Sequence, residues 1–174
     1  GSLRQALANA TDGDVIDATG ISGTITLVSE LTVADNVAIN GPGAANLTVS
    51  GNNAVRVFRI SGGKTVSISG LTVASGRVVD TDGAGILNLG NLTLNNVIVT
   101  DNIASRVSNE YVKGGGIASE LSGASLTITN STISGNSSQP GGLGGGLFTN
   151  TLQPVTIRNS TIAANLGNGG IHIA

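Results

Sequence analysis

Three segments of the chain align without gaps: residues 92–102 (LTLNNVIVTDN), 126–136 (LTITNSTISGN) and 155–165 (VTIRNSTIAAN). Two more divergent copies precede them, residues 66–76 (VSISGLTVASG) and residues 37–52 (VAINGPGAANLTVSGN), the latter with a short insertion. Most units follow a glycine-led apolar triplet, as at Gly85-Ile86, Gly116-Ile117, Gly146-Leu147 and Gly170-Ile171. A short unit of this kind cannot bury its own apolar face and must stack on its neighbours. Each unit holds three short strands: VFRI, GIL, GIA, GLF and GIH form one set, VAI, VSI, LTL, LTI and VTI a second, LTV, LTV, VIV, STI and STI a third. In the second set the steps from Ile39 to Ile68, Leu94, Ile128 and Ile157 are 29, 26, 34 and 29 residues. Regular strands with an irregular period place the length variation in the turns.

A strand triplet recurring every turn, with successive copies parallel, predicts an all-β fold, a right-handed parallel β-helix. Five to six coils at the strand spacing of about 4.8 Å give a rod core of roughly 25–30 Å. One domain is expected over residues 1–174, with a helical cap over 1–12 and coils over 13–174. The interior is ladders of Ile, Val and Leu, which suits a chain with only 2% aromatic residues. Mean hydropathy of +0.26 excludes disorder, and no apolar run is long enough for a membrane span. A net charge of −2 without a basic stripe argues against nucleic acid as a partner. Cysteine is absent and His172 is the only histidine, so no disulfide framework, metal or other cofactor is expected.

The corners account for glycine and asparagine. Asn96, Asn130 and Asn159 fall at one corner, with Gly41 and Gly70 in the same slot of earlier coils. Asn102, Asn136 and Asn165, together with Asn52, fall at another, with Gly76 in register. Both columns are expected at sharp bends, where Gly and Asn tolerate a left-handed backbone, and stacked Asn side chains can hydrogen-bond along the ladder.

The N-terminus departs from the repeat. Residues 3–10 read as a short amphipathic helix with Ser2 and Gln5 as a capping box and Leu3 and Leu7 on one face. Such a helix would cover the open end of the first coil. At the other end Ile171 and Ile173 lie in a strand with nothing in the sequence to cover it, which predicts end-to-end contact with another copy.

The opening Ser2-Leu3-Arg4-Gln5-Ala6-Leu7, followed by Gly13-Asp14-Val15-Ile16, is similar to the "CSLREA"-type motif of secreted β-helix proteins, with Gly1 in place of its Cys and Gln5 in place of its Glu. With the GGGI, LTI and NSTISGN repeats, the chain resembles bacterial right-handed parallel β-helix surface proteins related to polymorphic outer-membrane proteins. The resemblance covers essentially the whole chain. It implies an extracellular or cell-surface location and a structural or adhesive role, and it carries over no catalytic residues.

β-Helices also host polysaccharide lyases and hydrolases, whose chemistry needs paired carboxylates on one face of adjacent coils. No acidic residue occupies the outward middle position of a second- or third-set strand. Ser67, Thr93, Thr127 and Thr156 stand there in the second set, and Thr48, Thr72, Ile98, Thr132 and Thr161 in the third. The closest approach is a corner where two long turns, residues 76–83 and 103–113, bring together Arg77, Asp80, Asp82, Arg106, Glu110, Tyr111 and Lys113. Loops on one edge of a rigid scaffold are where ligands usually bind, and a glycan would suit this corner. The simpler reading is that these charges keep two long loops soluble. Threonine columns raise ice binding as a further alternative, with one outward Thr expected per strand and Ile98 interrupting one column. The favoured expectation is a non-enzymatic structural or adhesive solenoid that stacks end to end into a fibre. The alternatives are a polysaccharide-binding or polysaccharide-degrading module and an ice-binding solenoid.

Overall fold

The computed structural model describes residues 1–107 and 111–174. The chain is a parallel β-solenoid. Three sheets run its length, each six strands deep, and every strand pairs in parallel with its equivalent one coil away. The first sheet holds Val15–Asp17, Val37–Asn40, Thr65–Ser69, Asn91–Asn95, Ser125–Thr129 and Val155–Arg158. The second holds Gly23–Thr26, Leu47–Ser50, Thr72–Ala74, Ile98–Thr100, Thr132–Ser134 and Thr161–Ala163. The third holds Leu31–Val33, Phe58–Ile60, Ile86–Asn88, Ile117–Ser119, Leu147–Thr149 and Ile171–Ile173.

Register follows the repeat. Ile39, Ile68, Leu94, Ile128 and Ile157 are successive partners, so each apolar side chain stacks on its equivalent. Ile39, Ile68, Leu94 and Ile128 are wholly buried. Period-two alternation turns the intervening Ser67, Thr93 and Thr127 outward. In the last coil Ile157 is 36% exposed, and Ile171 and Ile173 are exposed as well.

The N-terminal helix spans Leu3–Asn9. Leu7 is buried and Leu3 packs on the same core, so the apolar face lies over the first coil as its pattern predicts. The capping box forms by half. Ser2 Oγ accepts the Gln5 amide at 3.2 Å, but the Gln5 side chain turns along the helix and donates to Asn9 Oδ1 at 2.9 Å. Arg4 reaches back to the Ser29 and Glu30 carbonyls, tying the helix to the turn before the third sheet.

Three strands per coil is a description the later coils exceed. A fourth sheet joins Arg77–Val79, Ile103–Ser105 and Ser137–Gln139. These strands are short, and their inward residues Val78, Ala104 and Ser138 are small. Their segments therefore read in the sequence as loops.

Candidate functional site

The charged corner is built on this fourth sheet. Val78 and Ala104 pack on Ala84 and Val112 in a small second core, separate from the main ladder. Each coil then returns through a segment that follows the same parallel path. The Gly83 amide donates to the Lys113 carbonyl at 3.0 Å, and the Gly114 amide to the Leu143 carbonyl at 2.9 Å. The chain turns from this lobe into the third sheet at Gly114 and Gly144. Both have positive φ, +59° and +58°, and a Cβ at either would run into the carbonyl of Ile117 or Leu147. The glycine triplets therefore form the inner corner between lobe and rod.

The predicted site residues separate into two groups. At the tip, the Arg106 guanidinium lies 4.7 Å from the centre of the Tyr111 ring, and Asp80 Oδ1 accepts the Val107 amide at 2.9 Å. Nearer the rod, Asp82 Oδ1 accepts the Lys113 amide at 2.7 Å. Lys113 Nζ stands 3.9 Å from Asp82 Oδ2, 3.7 Å from Glu120 Oε1 and 5.1 Å from the centre of the Phe148 ring. Phe148 stacks in turn on His172 with centroids 5.5 Å apart. Arg77 lies apart from both groups, on the outer strand of the fourth sheet. Glu110 falls outside the described residues.

Two residues at this corner were not singled out from sequence. Glu120 directly follows a third-sheet strand and faces Asp82 and Lys113; its Oε1 is buried and accepts no hydrogen bond. Burial, and then repulsion from Asp82, hold its carboxyl above its ordinary value. Arg56 is 8% exposed and ion-pairs with Glu30, while its Nε and Nη2 donate to the Gly83 and Asp82 carbonyls at 2.9 and 3.0 Å. It fastens the second coil to the first turn of the corner. The available signal was an arginine two residues before a third-sheet strand, ahead of the apolar Val57 and Phe58.

The asparagine columns differ from expectation in one respect. Asn96, Asn130 and Asn159 are left-handed, with φ near +50°. At the other corner the left-handed residue is the one before the asparagine, Asp101, Gly135 and Ala164, and in the third coil Ser75, before Gly76. Asn102, Asn136 and Asn165 instead point inward and form a continuous amide ladder. Asn102 Nδ2 donates to Asn136 Oδ1 at 2.9 Å and Asn136 Nδ2 to Asn165 Oδ1 at 3.0 Å. Asn52 is not part of it; it is exposed, with φ of +55°, because the second coil turns there without an inward side chain.

On the threonine face, the strands Leu47–Ser50 and Thr132–Ser134 each present one outward Thr, Thr48 and Thr132, with a serine, Ser50 and Ser134, at the second outward position. The column is broken at Ile98 and again at Thr72, whose Oγ1 donates to the Ala44 carbonyl at 2.7 Å beneath an overlying loop.

Three cavities lie away from the Asp82–Lys113–Glu120 cluster. One of about 550 Å³ opens beneath the N-terminal helix against Ile16, Ile21 and Ile25. One of about 360 Å³ lies beside Arg77 and Val79, and one of about 210 Å³ on the outer face of the first sheet. Among the described residues, no helix is long and apolar enough to cross a membrane, and no group of three or more His, Asp or Glu is placed to hold a metal. No family model matches the chain, and no curated protein or solved structure is found to be similar to it.

Proposed function

We propose that this chain is a non-enzymatic structural or adhesive segment of an exported bacterial surface protein. The observation that carries the reading is how the charged corner spends its polar groups. Asp80 and Asp82 accept backbone amides of the neighbouring coil, Arg56 donates to backbone carbonyls, and Lys113 lies between two carboxylates over an aromatic ring. These contacts bind coil to coil. A hydrolase or lyase would instead direct its carboxylates into a groove that holds the sugar. The resemblance of Ser2 to Leu7 and of the NSTISGN-type repeats to secreted β-helix proteins supports the extracellular location. End-to-end contact through Ile171 and Ile173 belongs to the same reading, as does a glycan at the Arg106–Tyr111 tip.

The test is a panel of bacterial and host polysaccharides incubated with the purified chain, read for both cleavage and binding. No cleavage is expected, and any binding should be lost in Tyr111→Ala. Shortening of any polysaccharide would overturn the reading. Electron microscopy and sedimentation test the fibre separately: rods that lengthen with concentration support it, and monomers at high concentration remove it.

A further inference from the structure

The fourth sheet begins two coils later than the other three, so its first strand, Arg77–Val79, is an open edge along the side of the rod. The hydrogen bonds fix which groups face outward. The Ile103 amide donates to the Gly76 carbonyl and the Asp80 amide to the Ser105 carbonyl, each at 2.8 Å. In a parallel ladder this phase turns Val78 toward the neighbouring strand and Arg77 and Val79 away from it. The Arg77 amide is taken by the Val55 carbonyl at 3.0 Å. The Arg77 carbonyl and both backbone groups of Val79 face a cavity of about 360 Å³ with no described backbone partner.

The walls of that cavity define what it would hold. Val28 is 88% exposed and Val79 50% exposed, so two aliphatic side chains stand bare at its rim. The Arg77 guanidinium is engaged by no described residue, whereas the nearby charges of Glu30 and Arg56 neutralise each other. The site thus offers unpaired strand backbone, an apolar rim and one uncompensated positive charge. Natural sheet edges are usually blunted by pairing or by an overlying loop; this one has neither at Val79.

We propose that this edge is a docking site for an extended peptide of a partner protein, which adds to the fourth sheet as a further strand. Arg77 and Val79 lie on one face of their strand, so the peptide presents an acidic residue and an aliphatic residue two positions apart on that face. The residue between them is small, because it faces the backbone at Ala54 and Val55. Main-chain hydrogen bonds supply affinity, and the Arg77 ion pair with the Val28–Val79 contact supplies selectivity.

The probe is the peptide acetyl-Thr-Asp-Ala-Val-Thr-amide, titrated into the ¹⁵N-labelled chain and followed by NMR. A saturable shift centred on the Val79 amide is expected, together with slowed hydrogen exchange at that amide. Methylating the peptide's backbone nitrogens should weaken binding at least tenfold, because it removes the ladder donors without altering side chains. Arg77→Glu, an exposed change that leaves the fold intact, should weaken it about five- to tenfold. No shift at Val79 with millimolar peptide overturns the proposal. So does binding indifferent to backbone methylation. A Val79 amide that becomes protected with rising protein concentration, without peptide, overturns it in favour of a second copy at this edge.

Discussion

Two columns of asparagine run along this rod, one coil apart at each step, and they do different work. At the corner of Asn96, Asn130 and Asn159 the backbone is left-handed and the side chains are exposed. Asparagine is there because it tolerates that conformation, and Gly70 occupies the same slot with φ of +63°. At the corner of Asn102 and Asn136 the side chains are wholly buried. Asn136 Nδ2 lies within hydrogen-bonding distance of the Val99 and Ser134 carbonyls and Asn165 Oδ1, while its Oδ1 accepts both the amide and the Nδ2 of Asn102. Here the side chain itself closes the turn, satisfying backbone groups that the bend removes from the sheets. The same residue, at the same period, is a backbone device at one corner and an internal polar network at the other.

The sharpest way to break this comparison is to put a charge into the buried column. Asn136→Asp keeps the shape but replaces the donating amide by a carboxylate facing carbonyl oxygens, at zero exposure. A loss of about 4 kcal/mol or more is expected, enough to prevent folding in a marginal chain. Ile128→Asp, in the apolar ladder between Leu94 and Ile157, should be as severe and sets the scale. Cooperative thermal unfolding of either variant near the parent temperature would refute the assigned interior.

Glycine distinguishes the two corners directly. Asn136→Gly removes the ladder contacts and leaves Asn102 and neighbouring carbonyls unsatisfied, at a cost of about 3 kcal/mol. Asn130→Gly keeps the left-handed turn and loses one exposed contact, from Asn130 Nδ2 to Asn95 Oδ1 at 3.1 Å. Its effect should stay within about 0.5 kcal/mol. Asn130→Ala should be worse than Asn130→Gly by about 1 kcal/mol, since a Cβ without a local polar partner is disfavoured in that conformation. Urea unfolding of the three variants measures the ordering. Equal costs for glycine at the two corners would erase the distinction.

Much of the architecture is legible in the sequence because it is periodic. Ile128 can be placed between Leu94 and Ile157 from the aligned repeats, and the structure pairs them so. Leu3 and Leu7 likewise give the helix its buried face. What stays hidden is whatever lacks a recurring apolar pattern. The fourth sheet is made of Arg77–Val79, Ile103–Ser105 and Ser137–Gln139, which share no alternation and begin only at the third coil. The role of Asn102 is hidden for another reason. A turn asparagine and a ladder asparagine look alike as letters, and only the direction of the side chain separates them. At the charged corner, Asp82 and Lys113 could be grouped because their loops adjoin. Glu120 comes from the far end of a strand and joins them through the fold alone.

Glu120 supplies the smallest test, by contrast with the ladder. The buried amide of Asn136 is fully hydrogen-bonded, whereas Glu120 Oε1 is buried without a hydrogen bond, its nearest cation being Lys113 Nζ at 3.7 Å. Its carboxyl is raised above its ordinary value of 4.5 by burial and by Asp82. The native state therefore holds this proton more tightly than the unfolded chain. Through the window from 4.5 up to the raised value, the unfolded chain binds fewer protons, so this group's contribution to stability falls as pH rises. Acidification from neutrality toward pH 5 should accordingly raise the unfolding temperature slightly. Asp12, held below 3.8 by the Asn36 amide and Lys64, acts in the opposite direction and only at lower pH. Glu120→Gln, which is uncharged at every pH, should flatten the rise while leaving the asparagine variants' ordering unchanged. A Gln variant whose unfolding temperature still rises from pH 7 to pH 5 as the parent's does would assign the effect to another group.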